Sequence, residues 1–302
     1  MALTDKRLLI VSGKGGVGKS TVAAALALHS ARSGQRTLIC EINAKERISH
    51  LLGKPEVGPQ IASIDENLWA VDVRPAEAMR EYALMILKFE SIYNAVFENR
   101  LVRYFLRFIP SLAELVMLGK ILFHLREQRP DGTFRFERIV IDAPATGHAI
   151  SFLSVPQVII DTVPPGQLSK EAEWMRDLLV DPGVTAAILV TLPEDMPVNE
   201  TLELYRALQE RVHVRAQAVV LNGFIGPRFD STDLEQLAPY PALVGPTRAH
   251  EGRAQLSAHL LQKLTSELKL PVQPVPRLYL QAFGREAIEQ VASHLLPLWK
   301  ES

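Results

Sequence analysis

The sequence predicts an α/β protein built on a doubly wound, mostly parallel sheet, and three observations carry that expectation. Short runs of β-branched and aliphatic residues recur between helix-like stretches over nearly the whole chain of 302 residues. Several of the runs are apolar throughout, the pattern of parallel strands covered on both faces. The first run leads straight into a glycine-rich loop, residues 13–20, and that loop into a helix rich in alanine and leucine.

Taken in order, strands are expected at 8–11, 37–42, 68–73, 138–142, 185–192, 216–221 and 270–275. A helix over 21–33 stops at Gly34, and another over 199–212 ends before a new strand. From 76 to 128 the rhythm breaks, with helical character and no strand signal. That stretch is too long for a simple crossover and reads as a helical subdomain, 76–128, inserted in one domain spanning 1–302. Its second half, "FIPSLAELVMLGKILFHL", is apolar over far more than the roughly 100° stripe that a helix packed on one side needs. Two readings stay open: a helix sandwiched between neighbours, or an apolar surface for a partner or client helix. Arg100, Arg103 and Arg107 recur at helical spacing, as on a solvated face. The C-terminal stretch "GREAIEQVASHLLPLWK" is amphipathic, suited to packing on the sheet or to a membrane surface.

Composition narrows the function classes. Apolar residues make up 47% and charged residues 22%, ordinary for a globular protein. A net charge of −1 gives no global field to recruit nucleic acid or anionic lipid. A lone cysteine, Cys40, rules out an internal disulfide framework and any CxxC zinc clamp within the chain. No apolar run reaches the roughly 20 residues of a membrane span. With only a few residues before the first strand and no leader pattern there, a cytoplasmic protein is expected.

The loop reads GKGGVGKS, which fits G-x-x-x-x-G-K-[ST] between a strand and a helix, the phosphate-binding loop of the P-loop NTPases. Gly13, Gly15, Gly16 and Gly18, with Val17 among them, let backbone N–H groups turn toward phosphates at a helix N-terminus. Lys19 should reach the β- and γ-phosphates, Ser20 should offer its hydroxyl to Mg²⁺, and Thr21 should touch the α-phosphate of a bound ATP. Lys14 is a second lysine, too early in the loop to fold back onto phosphates that Lys19 already holds. Where two subunits meet across their nucleotides, it can neutralise charge on the other subunit's phosphates, as an arginine finger does in trans.

These residues resemble the deviant phosphate loop of the dimeric ATPases that include ArsA, the guided-entry ATPase for tail-anchored proteins, MinD, ParA and the nitrogenase iron protein. The segment "IVIDAPATGHAISFLSVP", 139–156, is similar to the switch II signature of the ArsA and guided-entry branch. The resemblance implies a dimeric ATPase that hydrolyses ATP with Mg²⁺. It makes Asp142 the carboxylate that holds Mg²⁺ through water, and Thr146, Gly147 and His148 the switch that senses the γ-phosphate. "LPEDMPVNET" resembles the segment whose Glu contacts nucleotide across the dimer, which gives that role to Glu194. "VVLNGF" resembles the strand end whose Asn hydrogen-bonds adenine, which gives that role to Asn222, while Pro276 would line the base.

Three departures accompany the resemblance. At switch I the family has Asp then Pro, and this chain has Asn43 and Ala44. A carboxamide can hold the attacking water but cannot take its proton, so binding is expected to survive better than fast hydrolysis. Glu41, two residues earlier on the same strand face, is a candidate substitute. With one cysteine, the zinc clamp of the eukaryotic dimers cannot form, so no structural zinc is expected. Thiolate-based arsenite activation and a nitrogenase-type cluster fail on the same count.

Two functions therefore stand. One is an ATP-driven dimeric switch, homodimer or heterodimer, that handles an apolar helix client or membrane-protein partner. The other is a hydrolysis-impaired nucleotide-binding subunit that pairs with an active paralogue.

Overall fold

A computed structural model describes residues 3–42, 47–87, 112–237 and 239–299. Its centre is an eight-stranded sheet in the order β3-β4-β2-β5-β1-β6-β7-β8. The strands are β1 (Leu8–Gly13), β2 (Thr37–Ile42), β3 (Ala62–Asp65), β4 (Leu68–Val73), β5 (Arg138–Ala145), β6 (Thr185–Thr191), β7 (Ala216–Phe224) and β8 (Val272–Pro276). All neighbours are parallel except β3, which runs antiparallel at one edge. The seven expected strands are all present, which bears out the doubly wound sheet. β3 was not anticipated: "ASID" is short, half polar and only partly buried, so it carries no apolar run to detect.

The helices are α1 (Lys19–Arg32), α2 (Arg47–Leu51), α3 (Pro75–Leu87), α4 (Leu112–Arg126), α5 (Thr146–Thr162), α6 (Gln167–Val180), α7 (Asp195–Ala207), α8 (Ser231–Leu237), α9 (Pro241–Glu267) and α10 (Arg285–His294). α7 opens four residues before the expected start and runs into a wider π-type turn, Leu208–Val212. Alternation along the strands sorts the core into two layers. Leu9, Val11, Ile39, Val140 and Ile188 face α1 and α10, while Leu8, Ile10, Cys40, Ile141 and Leu189 face α4 to α7 and α9. With both faces covered, each of β1, β2 and β6 is buried along its whole length.

α4 settles the meaning of its surplus apolar residues. Leu115, Leu118, Ile121 and Leu122 are fully buried, in one core cluster with α5, α6 and the sheet. The stripe is wide because the helix is covered on more than one side, so these residues are not an exposed client surface. Lys120, also buried, is satisfied by Glu81 at 2.6 Å and the Pro59 carbonyl at 3.1 Å, which ties α4 to α3. Arg100, Arg103 and Arg107 lie outside the described residues.

The amphipathic C-terminal stretch packs inward. Ala287, Ile288 and Val291 of α10 close over α1, and Trp299 lies against His29, with ring centroids 4.8 Å apart. The Arg138 guanidinium sits 4.6 Å over the Trp299 ring and donates to the Lys6 and Thr4 carbonyls. Burial pulls its pKa down to about 10.

Truncating the α4 stripe should act on stability alone. Leu118→Ala is expected to cost about 2–5 kcal/mol in chemical denaturation, with ligand affinity of the folded fraction unchanged.

Candidate active site

In this strand order β1 is followed by β2, on its β5 side, whereas its neighbour β6 is followed by β7 on the opposite side, so a crevice opens at the carboxyl ends of β1 and β6. Residues 13–20 occupy that position. Two contacts press the loop onto the sheet. At Gly13 (φ +156°) an added Cβ would lie 2.1 Å from the Val190 carbonyl oxygen of β6. At Gly18 (φ +94°), the residue that caps α1, it would lie 2.3 Å from the Asn222 side-chain nitrogen. Only glycine combines those dihedrals with that proximity. On the outer side, above Gly15 and Gly16, an added Cβ meets nothing within 4 Å. The loop is thus packed on its sheet side and open where phosphates would sit.

Lys19 opens α1, and its ammonium reaches back across the loop to the Lys14 carbonyl at 3.0 Å. The Ser20 hydroxyl donates to Asp142 Oδ2 at 2.5 Å. Asp142 is buried near the end of β5, in register with Val11 of β1 and on the α1 face of the sheet. With its proton committed to Asp142, the Ser20 oxygen keeps its lone pairs for a cation, an oxygen donor set that suits Mg²⁺. Thr21 follows, half-buried in the first turn of α1.

Lys14 points elsewhere. Its ammonium meets Glu200 of α7 at 2.7 Å, both side chains being about one-third exposed. Glu200 also lines an open groove of about 700 Å³ with Thr146, Gly147, Ile150 and Arg206. Thr146 and Gly147 start α5 directly after β5, and Gly147 and His148 are exposed. Through Glu200, the Lys14 ion pair thus adjoins the groove that Thr146 and Gly147 also line.

On the other flank, Asn222 near the end of β7 donates through Nδ2 to the Val17 carbonyl at 2.9 Å. That bond leaves its carboxamide oxygen as the free acceptor. Pro276 ends β8 beside Phe224. Glu194 is exposed and caps α7. The structure thus gathers Lys19, Ser20, Asp142 and Asn222 around one loop, sets Thr146 and Gly147 along the groove, and ties Lys14 to that groove through Glu200. Asn43 lies outside the described residues.

Two features escaped sequence reasoning. Glu200 as the partner of Lys14 carried no signal beyond its place six residues after Glu194. Glu41 was singled out, but not the row it belongs to: Asp72, Glu41 and Asp142 pair in register across β4, β2 and β5, all buried, with Arg74 on Asp72 at 2.6 Å. Cys40 is fully buried, and burial pushes its thiol up to about 12, as expected of a packing residue.

With this geometry in place, comparison with known proteins assigns the family. The sequence profile of the anion-transporting ATPases, ArsA_ATPase, matches residues 6–163, from just before β1 to the end of α5. The chain belongs to that family. It is 32% identical over 276 residues to ATPase BagA of Mycobacterium tuberculosis, covering 89% of this chain and 76% of that protein. A putative arsenical pump-driving ATPase of Halobacterium salinarum is 24% identical over 289 residues, 90% of this chain and 42% of that protein. ATPase GET3C of Arabidopsis thaliana is 22% identical over 270 residues, 74% and 68% respectively. The ArsA and guided-entry resemblance is borne out, and the chain is a P-loop ATPase by family. No helix among the described residues is long and apolar enough to cross a membrane.

The packing at the loop has a direct test. Gly13→Ala is expected to cost about 2–4 kcal/mol, because the clash is with β6 backbone and no side chain can yield, and thermal unfolding would register it.

Proposed function

We propose that this protein is a Mg²⁺-dependent ATPase that works as a nucleotide-gated dimer, with Lys14 of each subunit completing the other's site. The observation that supports this reading is the division of labour between the two lysines. Lys19 lies across its own loop, while Lys14 extends away from it to Glu200 on a neighbouring helix, about one-third exposed. A lysine so placed can meet a second subunit's phosphates once Glu200 lets it go.

In this mechanism the loop N–H groups and Lys19 hold the β- and γ-phosphates, and the α1 N-terminus adds partial positive charge. Ser20 and Asp142 are the residues that would hold Mg²⁺, and the ion would supply charge neutralisation to the phosphates. Thr146, Gly147 and His148 follow the γ-phosphate and carry its presence or loss into α5. Asn222 accepts from an exocyclic amino group through its free oxygen, which selects a 6-amino over a 6-oxo purine and hence ATP over GTP. Pro276 lines the base, and Glu194 contacts the nucleotide of the partner subunit. Opening and closing of such a dimer would drive an apolar client or a membrane partner, with no part for nucleic acid or structural zinc. Cytoplasmic placement and a helical subdomain over 76–128 belong to the same reading.

Subunit mixing tests the trans role. Lys14→Ala should lower turnover about a thousandfold while nucleotide affinity stays near wild type. Mixing it with Lys19→Ala, which keeps Lys14 but cannot hold its own triphosphate, should restore activity in one site of the hybrid. Absence of rescue, with no nucleotide-dependent dimer in sedimentation, would sink the reading. The Lys14–Glu200 pair also predicts that Glu200→Gln strengthens ATP-driven dimerisation, by up to about fivefold per protomer for a partly exposed ion pair.

A second reading has its own observation: Asn43 stands where the family has Asp. If the chain is a hydrolysis-impaired subunit of a heterodimer, isolated turnover is near background, and Asn43→Asp or an active paralogue raises it at least tenfold. Equal turnover in wild type and Asn43→Asp favours the homodimeric enzyme.

A further inference from the structure

We infer that Tyr279, backed by Arg228, is the stacking platform for the nucleotide base, an assignment that rests on the ATP-binding reading above. The direction in which a nucleotide lies follows from the sheet. Asp142 and Ser20 put the metal end on the β5 side of β1, so the rest of the molecule extends the other way, over β6, β7 and β8. Three strand spacings of about 4.8 Å bring it to the loops that follow β7 and β8. Asn222 already touches the phosphate loop from that side.

These two loops are joined. Pro276 is in register with Phe224, and the Arg277 backbone N–H donates to the Phe224 carbonyl at 2.9 Å. Leu278 packs into the α1-side core and turns the next residue outward. Tyr279 is 66% exposed, with the Arg228 guanidinium 5.9 Å from its ring centroid. Arg228 is itself braced: its backbone N–H and that of Phe229 both donate to Glu251 of α9 at 3.2 Å. His250, one residue earlier, meets the Gly226 carbonyl at 3.2 Å and packs edge-on against Phe229.

An aromatic ring with a cation on one face and water on the other, held at the strand ends where a base arrives, is a stacking surface. It rewards the area of a purine more than that of a pyrimidine and is indifferent to the phosphates. Asn222 then chooses between purines, and Tyr279 supplies the affinity that every purine shares.

Calorimetric titration of wild type, Tyr279→Ala and Tyr279→Phe with ATP, CTP and inorganic tripolyphosphate tests this. Tyr279→Ala should weaken ATP about tenfold, weaken CTP less, and leave tripolyphosphate unchanged, while Tyr279→Phe keeps wild-type affinity for ATP. Unchanged ATP affinity in Tyr279→Ala overturns the platform, and so does an equal loss for all three ligands, which marks a structural role. Wild type binding ATP no tighter than tripolyphosphate overturns it too and leaves the phosphate-loop reading intact. Wild type that binds neither ligand overturns the ATP-binding reading and the platform together.

Discussion

The close approach of the glycine loop to the sheet governs the rest of this molecule. At Gly13 the backbone runs against a β6 carbonyl, and at Gly18 it runs against the side chain of Asn222 on β7, with no room for a single carbon at either point. A loop held at both ends cannot drift, so its N–H groups and the start of α1 keep one orientation toward the crevice. Ser20 is then delivered to Asp142 by the first turn of α1, and Lys19 to the loop's own carbonyl. The loop is thus fixed by the β6 backbone and by side chains of β7 and β5. Lys14 and residues 146–148, the parts that the proposed mechanism asks to move, lie outside that clamp.

This separation accounts for the two lysines. Lys19 is part of the clamp, whereas Lys14 forms a single ion pair with Glu200 at the edge of a groove. A partly exposed pair contributes at most about 1 kcal/mol. That is enough to bias one side chain and little enough for the release that the proposed mechanism requires. The groove brings Glu200 beside Thr146 and Gly147, so the lysine's holder and the proposed γ-phosphate sensor share a wall.

Much of this was legible in the sequence because it rests on short-range rules. The loop, the strand before it and the helix after it are contiguous, and all-apolar strands announce a sheet covered on both faces. Other features depend on pairings that sequence does not encode locally. Glu200 meets Lys14 across 186 positions, and Asp72, Glu41 and Asp142 line up only once three strands are in register. The apolar excess of α4 was legible as excess. Whether it faced neighbours or a partner depended on where α3, α5 and α6 pack. β3 escaped because an edge strand of four residues need not be apolar to be a strand.

The burial of the one cysteine has a practical corollary. Its thiol lies inside the sheet and is held far above neutral pH in its ionisation, so it offers no thiolate to maleimides, disulfides or peroxide. The native chain is therefore a silent background for thiol-directed labelling. A single cysteine introduced at an exposed position such as Met196, in the first turn of α7, would be the one thiol to take a dye, a spin label or a crosslinker.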